Sequence, residues 1–119
     1  MLKMAFLGLS TLTLLDDCVA AIRSNEVDNF ALDTIPLNDA KTFKLFSEGQ
    51  TLGIFQFESS GMRDTLRKAQ PQRLDDLIAL NALYRPGPLR GGVIDDFIAR
   101  RHGKIPIKYE VPELEPILH

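Results

Sequence analysis

The chain has 119 residues, 45% of them hydrophobic and 25% charged, with a net charge of −2. This balance argues against disorder, collagen and coiled coil, and the length suits one soluble globular domain or a piece of a larger one. A single cysteine, Cys18, makes no internal bridge, which suits a reducing cytoplasm.

In chain order, residues 3–9 are a short apolar run closing on Gly8-Leu9, which predicts a buried strand. Ser10 is expected to cap a helix whose buried face is Leu12, Leu15, Val19 and Ile22, spaced by three and four, with Cys18 beside it as an inert buried thiol. Lys3, the apolar residues 4–15 and Val19-Ala20-Ala21 imitate a secretory signal, but Asp16 and Asp17 stand where processing wants small neutral residues. Residues 24–36 read as a loop. Asn38-Asp39 opens a short helix carrying Phe43 and Phe46 and ended by Gly49.

Residues 52–57 are aliphatic and aromatic and too short for a helix, so they predict a second strand. Ser59-Ser60 then caps a helix with Met62, Leu66 and Ala69 on one face, and Pro71 ends it. Residues 72–84 make the next helix, with Asp75 and Asp76 in the first turn and Leu74, Leu77, Ile78 and Leu83 buried. Arg85-Pro86-Gly87-Pro88 forbids continuation and forms a rigid corner. A helix over 92–101 follows through Val93, Ile94, Phe97 and Ile98, closed by Gly103, and Pro106, Pro112 and Pro116 keep the tail extended. Nothing caps either end, which is the pattern of a fragment truncated on both sides.

Charge is unevenly distributed. Residues 1–61 balance at −4, residues 62–104 at +4 and residues 105–119 at −2. The middle block holds Arg63, Arg67, Lys68, Arg73, Arg85, Arg90, Arg100, Arg101 and Lys104, which reads either as a track for a polyanion or as solvated helix surface. No stretch reaches the roughly 18 to 20 apolar residues that span a bilayer, so no membrane partner is expected. The pairs Asp16-Asp17, Asp75-Asp76 and Asp95-Asp96 point about 100° apart on a helix and read as surface charge. His102 and His119 have no companion at metal-ligand spacing, and His102 suits the C-terminal end of a helix dipole. Phosphate loops, dinucleotide fingerprints, nucleophile elbows and zinc-protease motifs are all missing.

The informative strings are Lys3-Met-Ala-Phe-Leu-Gly-Leu9, Gly53-Ile-Phe-Gln-Phe-Glu-Ser-Ser-Gly-Met62, Ala82-Leu-Tyr-Arg-Pro-Gly-Pro-Leu89 and Asp95-Asp-Phe-Ile-Ala-Arg-Arg-His-Gly103. In this order and spacing the chain resembles the C-family replicative polymerases, the bacterial DNA polymerase III alpha subunits, from Lys3 to Leu118. The resemblance implies a DNA-directed DNA polymerase segment of class α+β, predominantly helical. Residues 1–9 would end a nucleotidyltransferase-type palm as its terminal strand, residues 10–104 would be mainly helical fingers with one further short strand, and residues 105–119 an extended segment. It implies primer-template DNA, deoxynucleoside triphosphates and the remainder of the replicative holoenzyme as partners, in the cytoplasm.

The resemblance departs at one position. Family members carry an aspartate, the third palm carboxylate around two Mg2+ ions, where this chain has Ala5. A methyl group neither holds a metal nor takes a proton from a primer hydroxyl, and the other two carboxylates would lie upstream. No catalytic residue and no bound metal are therefore expected of this chain alone, which should be inactive although its parent family uses Mg2+. Lys3 matches the family's lysine near the incoming triphosphate and would share a strand face with position 5. Arg63, after the Ser-Ser-Gly cap, and Arg85, at the Pro-Gly-Pro corner, are candidate phosphate contacts, with structural ion pairs to Glu58 or Asp64 as the competing role. The alternative is a non-catalytic helical module that binds nucleic acid or a protein partner through the basic block.

Overall fold

The structure, a computed structural model, describes residues 3–25, 29–109 and 111–118. The chain forms two compact units, residues 1–36 and 37–119, each described by itself. In the first, α1 (Ser10–Asn25) is followed by a 3-10 turn at Leu32–Thr34. The second contains α2 (Ala40–Ser47), α3 (Ser60–Ala69), α4 (Leu74–Leu83), α5 (Pro86–Arg90), α6 (Val93–Arg101), a 3-10 turn at Pro112–Leu114 and α7 (Glu115–Leu118).

No strand occurs among the described residues, so the expected α+β class is corrected to a helical one. Both predicted strands fail for physical reasons. Residues 3–9 have no neighbouring strand among the described residues to satisfy their backbone groups, and Met4, Phe6, Leu7 and Leu9 stay exposed, Phe6 at 93%. Residues 52–57 are broken by two left-handed residues, Gly53 at φ 82° and Gln56 at φ 65°. That segment instead makes successive turns, with the Ile54 N–H donating to the Thr51 carbonyl at 3.2 Å and the Phe57 N–H to the Ile54 carbonyl at 2.9 Å. The buried Thr51 hydroxyl closes the loop by donating to the Phe57 carbonyl at 2.6 Å, and Glu58 Oε1 accepts the Gly53 N–H at 2.9 Å.

The core of the second unit is Phe43, Phe46, Met62, Leu66, Ala69, Leu77, Leu80, Ile94 and Ile98, contributed by α2, α3, α4 and α6. Phe57 seals one side, its ring edge-on to Phe46 with centroids 5.3 Å apart. Local chemistry sets the helix ends. Asp39 caps α2 by accepting the Thr42 N–H at 2.8 Å and the Thr42 hydroxyl at 2.6 Å. Gly49, at φ 67°, ends α2, and the Gln50 N–H donates back to the Leu45 carbonyl at 3.1 Å. Ser59 Oγ accepts the Met62 N–H at 3.2 Å to start α3. Gln70 leaves α3 in a left-handed conformation because Pro71 disfavours the helical region for the residue before it.

Several smaller expectations change as well. On α1 only Val19 is buried; Leu12 and Leu15 are exposed, as is Cys18. Leu80, not Ile78, fills the core from α4, since Ile78 lies 58% exposed. Pro86 sits at the first helical position of α5, where its missing N–H costs nothing, so the rigid corner is itself the start of a helical turn. The tail expected to stay extended holds a 3-10 turn and α7, each admitting its proline near the start. His119 lies outside the described residues.

Candidate functional site

Lys3 and Ala5 lie exposed in the irregular stretch before α1. The shared strand face expected for them does not exist, because alternation of side chains requires a strand. Arg63 and Arg85 belong to the second unit and are held by regular elements. Arg63 is half-buried on α3, and its Nε is fully buried with no hydrogen-bond partner among the described residues. Arg85 is exposed and occupies the N-cap position of α5, where its side chain makes no capping hydrogen bond.

The competing ion pairs do not form. Asp64 is taken by Arg67 at 2.7 Å, and Glu58 is engaged by the backbone of Gly53. More broadly, four of the nine cations in the middle block are paired: Arg67 with Asp64, Arg73 with Asp75 and Asp76, Arg100 with Asp96, and Arg101 with Asp76. Arg63, Lys68, Arg85, Arg90 and Lys104 have no carboxylate within 4.0 Å among the described residues. Pairing leaves the net charge of the block at +4 but concentrates it on five cations, which include both candidate arginines.

Two of the informative strings meet in space. Asn81 Nδ2, one residue before the third string, donates to Gln56 Oε1 at 2.8 Å in the second. A Cβ built on Gly61 would lie 2.2 Å from the Tyr84 hydroxyl, so glycine is what lets the side chain of Tyr84, the residue after α4, lie this close to the start of α3. Arg63 follows Gly61 by two residues and Arg85 follows Tyr84 by one, so this contact brings the chain segments that carry the two arginines together. Gly61 and Tyr84 both lie within the informative strings, but sequence reasoning gave neither a role, although a glycine inside the first turn of a helix is itself a signal of close approach.

Sequence reasoning also missed Asp76, which it placed on the surface. Asp76 is buried and accepts from Arg101 Nε at 2.7 Å and Nη2 at 3.0 Å, and from the N–H groups of Gln72 and Arg73 at 3.0 and 3.3 Å. Burial alone would raise its pKa, but the Arg101 hydrogen bonds and charge and the two backbone donors outweigh burial and hold it below the usual carboxylate value. Its neighbour Asp75 stays exposed. The only signal for this asymmetry is that Asp76 occupies the third position of α4, where a carboxylate reaches back to the uncapped N–H groups.

The residues present do not fit a magnesium centre. Ala5 offers no side-chain oxygen, and among the described residues no three His, Cys, Asp or Glu side chains converge. No described helix is long and apolar enough to cross a membrane. Two open cavities are lined by residues of one unit each. One, of about 320 Å3, lies between α2 and the turn joining α3 to α4. The other, of about 330 Å3, lies between α1 and the 3-10 turn that follows it.

The family model described as the bacterial DNA polymerase III alpha subunit finger domain matches residues 11–119. The DNA polymerase III alpha subunit of Aquifex aeolicus is 48% identical over 118 residues, that of Borreliella burgdorferi 49% and that of Bacillus subtilis 47% over the same length. Each alignment covers 99% of this chain and 10% of the relative, so the chain spans about a tenth of the length of the curated relatives it matches.

Proposed function

From a chain that belongs to the bacterial DNA polymerase III alpha subunit finger-domain family, we propose a fingers segment of a replicative DNA polymerase working in the cytoplasm, with residues 1–9 as the end of the palm. The observation that carries this reading is identity of 47 to 49% across 99% of the chain in three organisms, against a tenth of each relative. Its partners are then primer-template DNA, deoxynucleoside triphosphates and the rest of the polymerase. Lys3, Arg63 and Arg85 contact phosphate; that neither arginine has a carboxylate within 4.0 Å among the described residues supports that role, because an arginine already neutralised has little left to offer a phosphate. By itself the 119-residue chain does not extend a primer, since Ala5 supplies no carboxylate.

The test is a full-length Bacillus subtilis alpha subunit carrying these residues in place of its own. With Ala5 it should fail to extend a primer, and with Ala5→Asp it should extend. An Ala5→Asp chimera that binds DNA and nucleotide yet stays inactive overturns the assignment of position 5. Template-directed extension by the purified 119-residue chain overturns the claim that it is inactive alone.

A further inference from the structure

We propose that Tyr84 is a positioning residue whose phenol, seated on Gly61, fixes where Arg85 presents its guanidinium to phosphate. The proposal rests on the phosphate-contact reading of Arg85 and adds to it the device that holds the arginine in place. The contact is close and specific: the hydroxyl stands 2.2 Å from where a Gly61 Cβ would be, whereas the ring carbon bearing it stands at 3.4 Å, an ordinary contact distance. The Tyr84 ring is half-buried and packs against the core of the second unit. Its backbone is fixed as well, the N–H donating to the Leu80 carbonyl at 2.9 Å as α4 ends.

Arg85 inherits that fixation. Its N–H donates to the Leu83 carbonyl at 2.7 Å, and its own carbonyl accepts the Leu89 N–H at 3.0 Å. Pro86 follows and restricts the backbone of Arg85 to the extended region it adopts, at φ −138° and ψ 156°. Both backbone polar groups of Arg85 are therefore used, both neighbours are immobilised, and its exposed side chain has no carboxylate within 4.0 Å among the described residues. An arginine whose backbone is fixed before the anion arrives loses less entropy on binding it. Its anchor on one side is the proline; on the other it is the tyrosine on its glycine socket.

The experiment titrates the 119-residue chain with inorganic tripolyphosphate at low salt, with circular dichroism and melting temperature recorded for every variant. Arg85→Ala should weaken binding about tenfold, the effect of losing one charge-assisted contact. Tyr84→Ala should weaken it by a similar factor with Arg85 intact, while Tyr84→Phe, which keeps the ring on Gly61, should leave it within about twofold. Gly61→Ala should weaken binding, and Gly61→Ala/Tyr84→Phe should restore it, because removing the hydroxyl makes room for the new methyl. Should Gly61→Ala fail to fold, the Tyr84→Ala and Tyr84→Phe pair decides alone. A purely structural Tyr84 would lower the melting temperature in Tyr84→Ala without changing affinity in the folded protein, and that result overturns the proposal. If Arg85→Ala binds tripolyphosphate as the wild type does, the phosphate reading of Arg85 itself falls, and positioning falls with it; loss in Arg85→Ala without loss in Tyr84→Ala removes positioning alone.

Discussion

Arg101, in the last turn of α6, grips Asp76, in the first turn of α4, through two parallel hydrogen bonds of 2.7 and 3.0 Å across 25 residues of chain. The same carboxylate caps α4 through the N–H groups of Gln72 and Arg73. One buried side chain therefore starts a helix and ties it to another, and Ile94 and Ile98 of α6 complete the tie in the core.

Removing either partner should be costly in unequal ways. Arg101→Met leaves Asp76 buried with two backbone donors and only the more distant Arg73 guanidinium, at 3.8 Å, as counter-charge, and should lower stability by about 2–4 kcal/mol. Asp76→Asn keeps an acceptor for the backbone and should cost less, about 1–3 kcal/mol. Thermal or urea unfolding of the purified chain checks both, and equal stability of Arg101→Met and the wild type would remove the ion pair from the list of what holds α4 and α6 together.

The pH dependence follows from the same group. Asp76 has a folded pKa below its ordinary value of 3.8, so its contribution is complete above 3.8 and is lost as the pH falls through the lower folded value. Asp39, lowered by the Thr42 hydroxyl and N–H groups, acts in the same direction. The melting temperature should therefore hold level from neutral pH down to about 4 and then drop. Asp76→Asn should be less stable at neutral pH and show a shallower acid drop; an unchanged acid limb would show that Asp76 does not drive it.

Thr51 gives a test of the loop before α3. Its buried hydroxyl donates to the Phe57 carbonyl, and Phe57 rests edge-on against Phe46 in the core. Thr51→Val keeps the shape and removes the donor, so stability should fall by about 1–2 kcal/mol. Hydrogen exchange should increase at Gly53 and Phe57, whose N–H groups bond within the loop.

Pairing divides the basic block into residues with different expected effects on DNA binding. Arg67→Gln and Arg100→Gln remove cations already bound to Asp64 and Asp96, and should change the salt dependence of primed-DNA binding little. Arg85→Gln and Lys68→Gln remove unpaired cations and should each lower the slope of log K against log salt by about one for a contacted phosphate. Fluorescence anisotropy of a labelled primer-template against sodium chloride measures this. Equal slopes for the Arg67 and Arg85 variants would show that pairing in the fold does not decide which cations meet DNA.

Much of this protein is written in short-range chemistry. Asp39, Gly49, Ser59 and Pro71 mark the ends of α2 and α3 because caps, left-handed residues and prolines act on their immediate neighbours, and Phe43, Phe46, Met62, Leu66 and Ala69 face the core at the spacing a helix imposes. The four ordered strings likewise placed the chain in its family without any coordinates. What the sequence left undecided depended on partners distant along the chain. The apolar runs at 3–9 and 52–57 have the composition of strands, but a strand exists only by pairing, and left-handed Gly53 and Gln56 turn the second run back on itself. Asp75 and Asp76 are the same residue type side by side, and only the arrival of Arg101 beside α4 buries one and leaves the other in solvent. The Tyr84 contact on Gly61 is of the same kind: local rules permit glycine there, and the seating of the Tyr84 side chain against the start of α3 requires it.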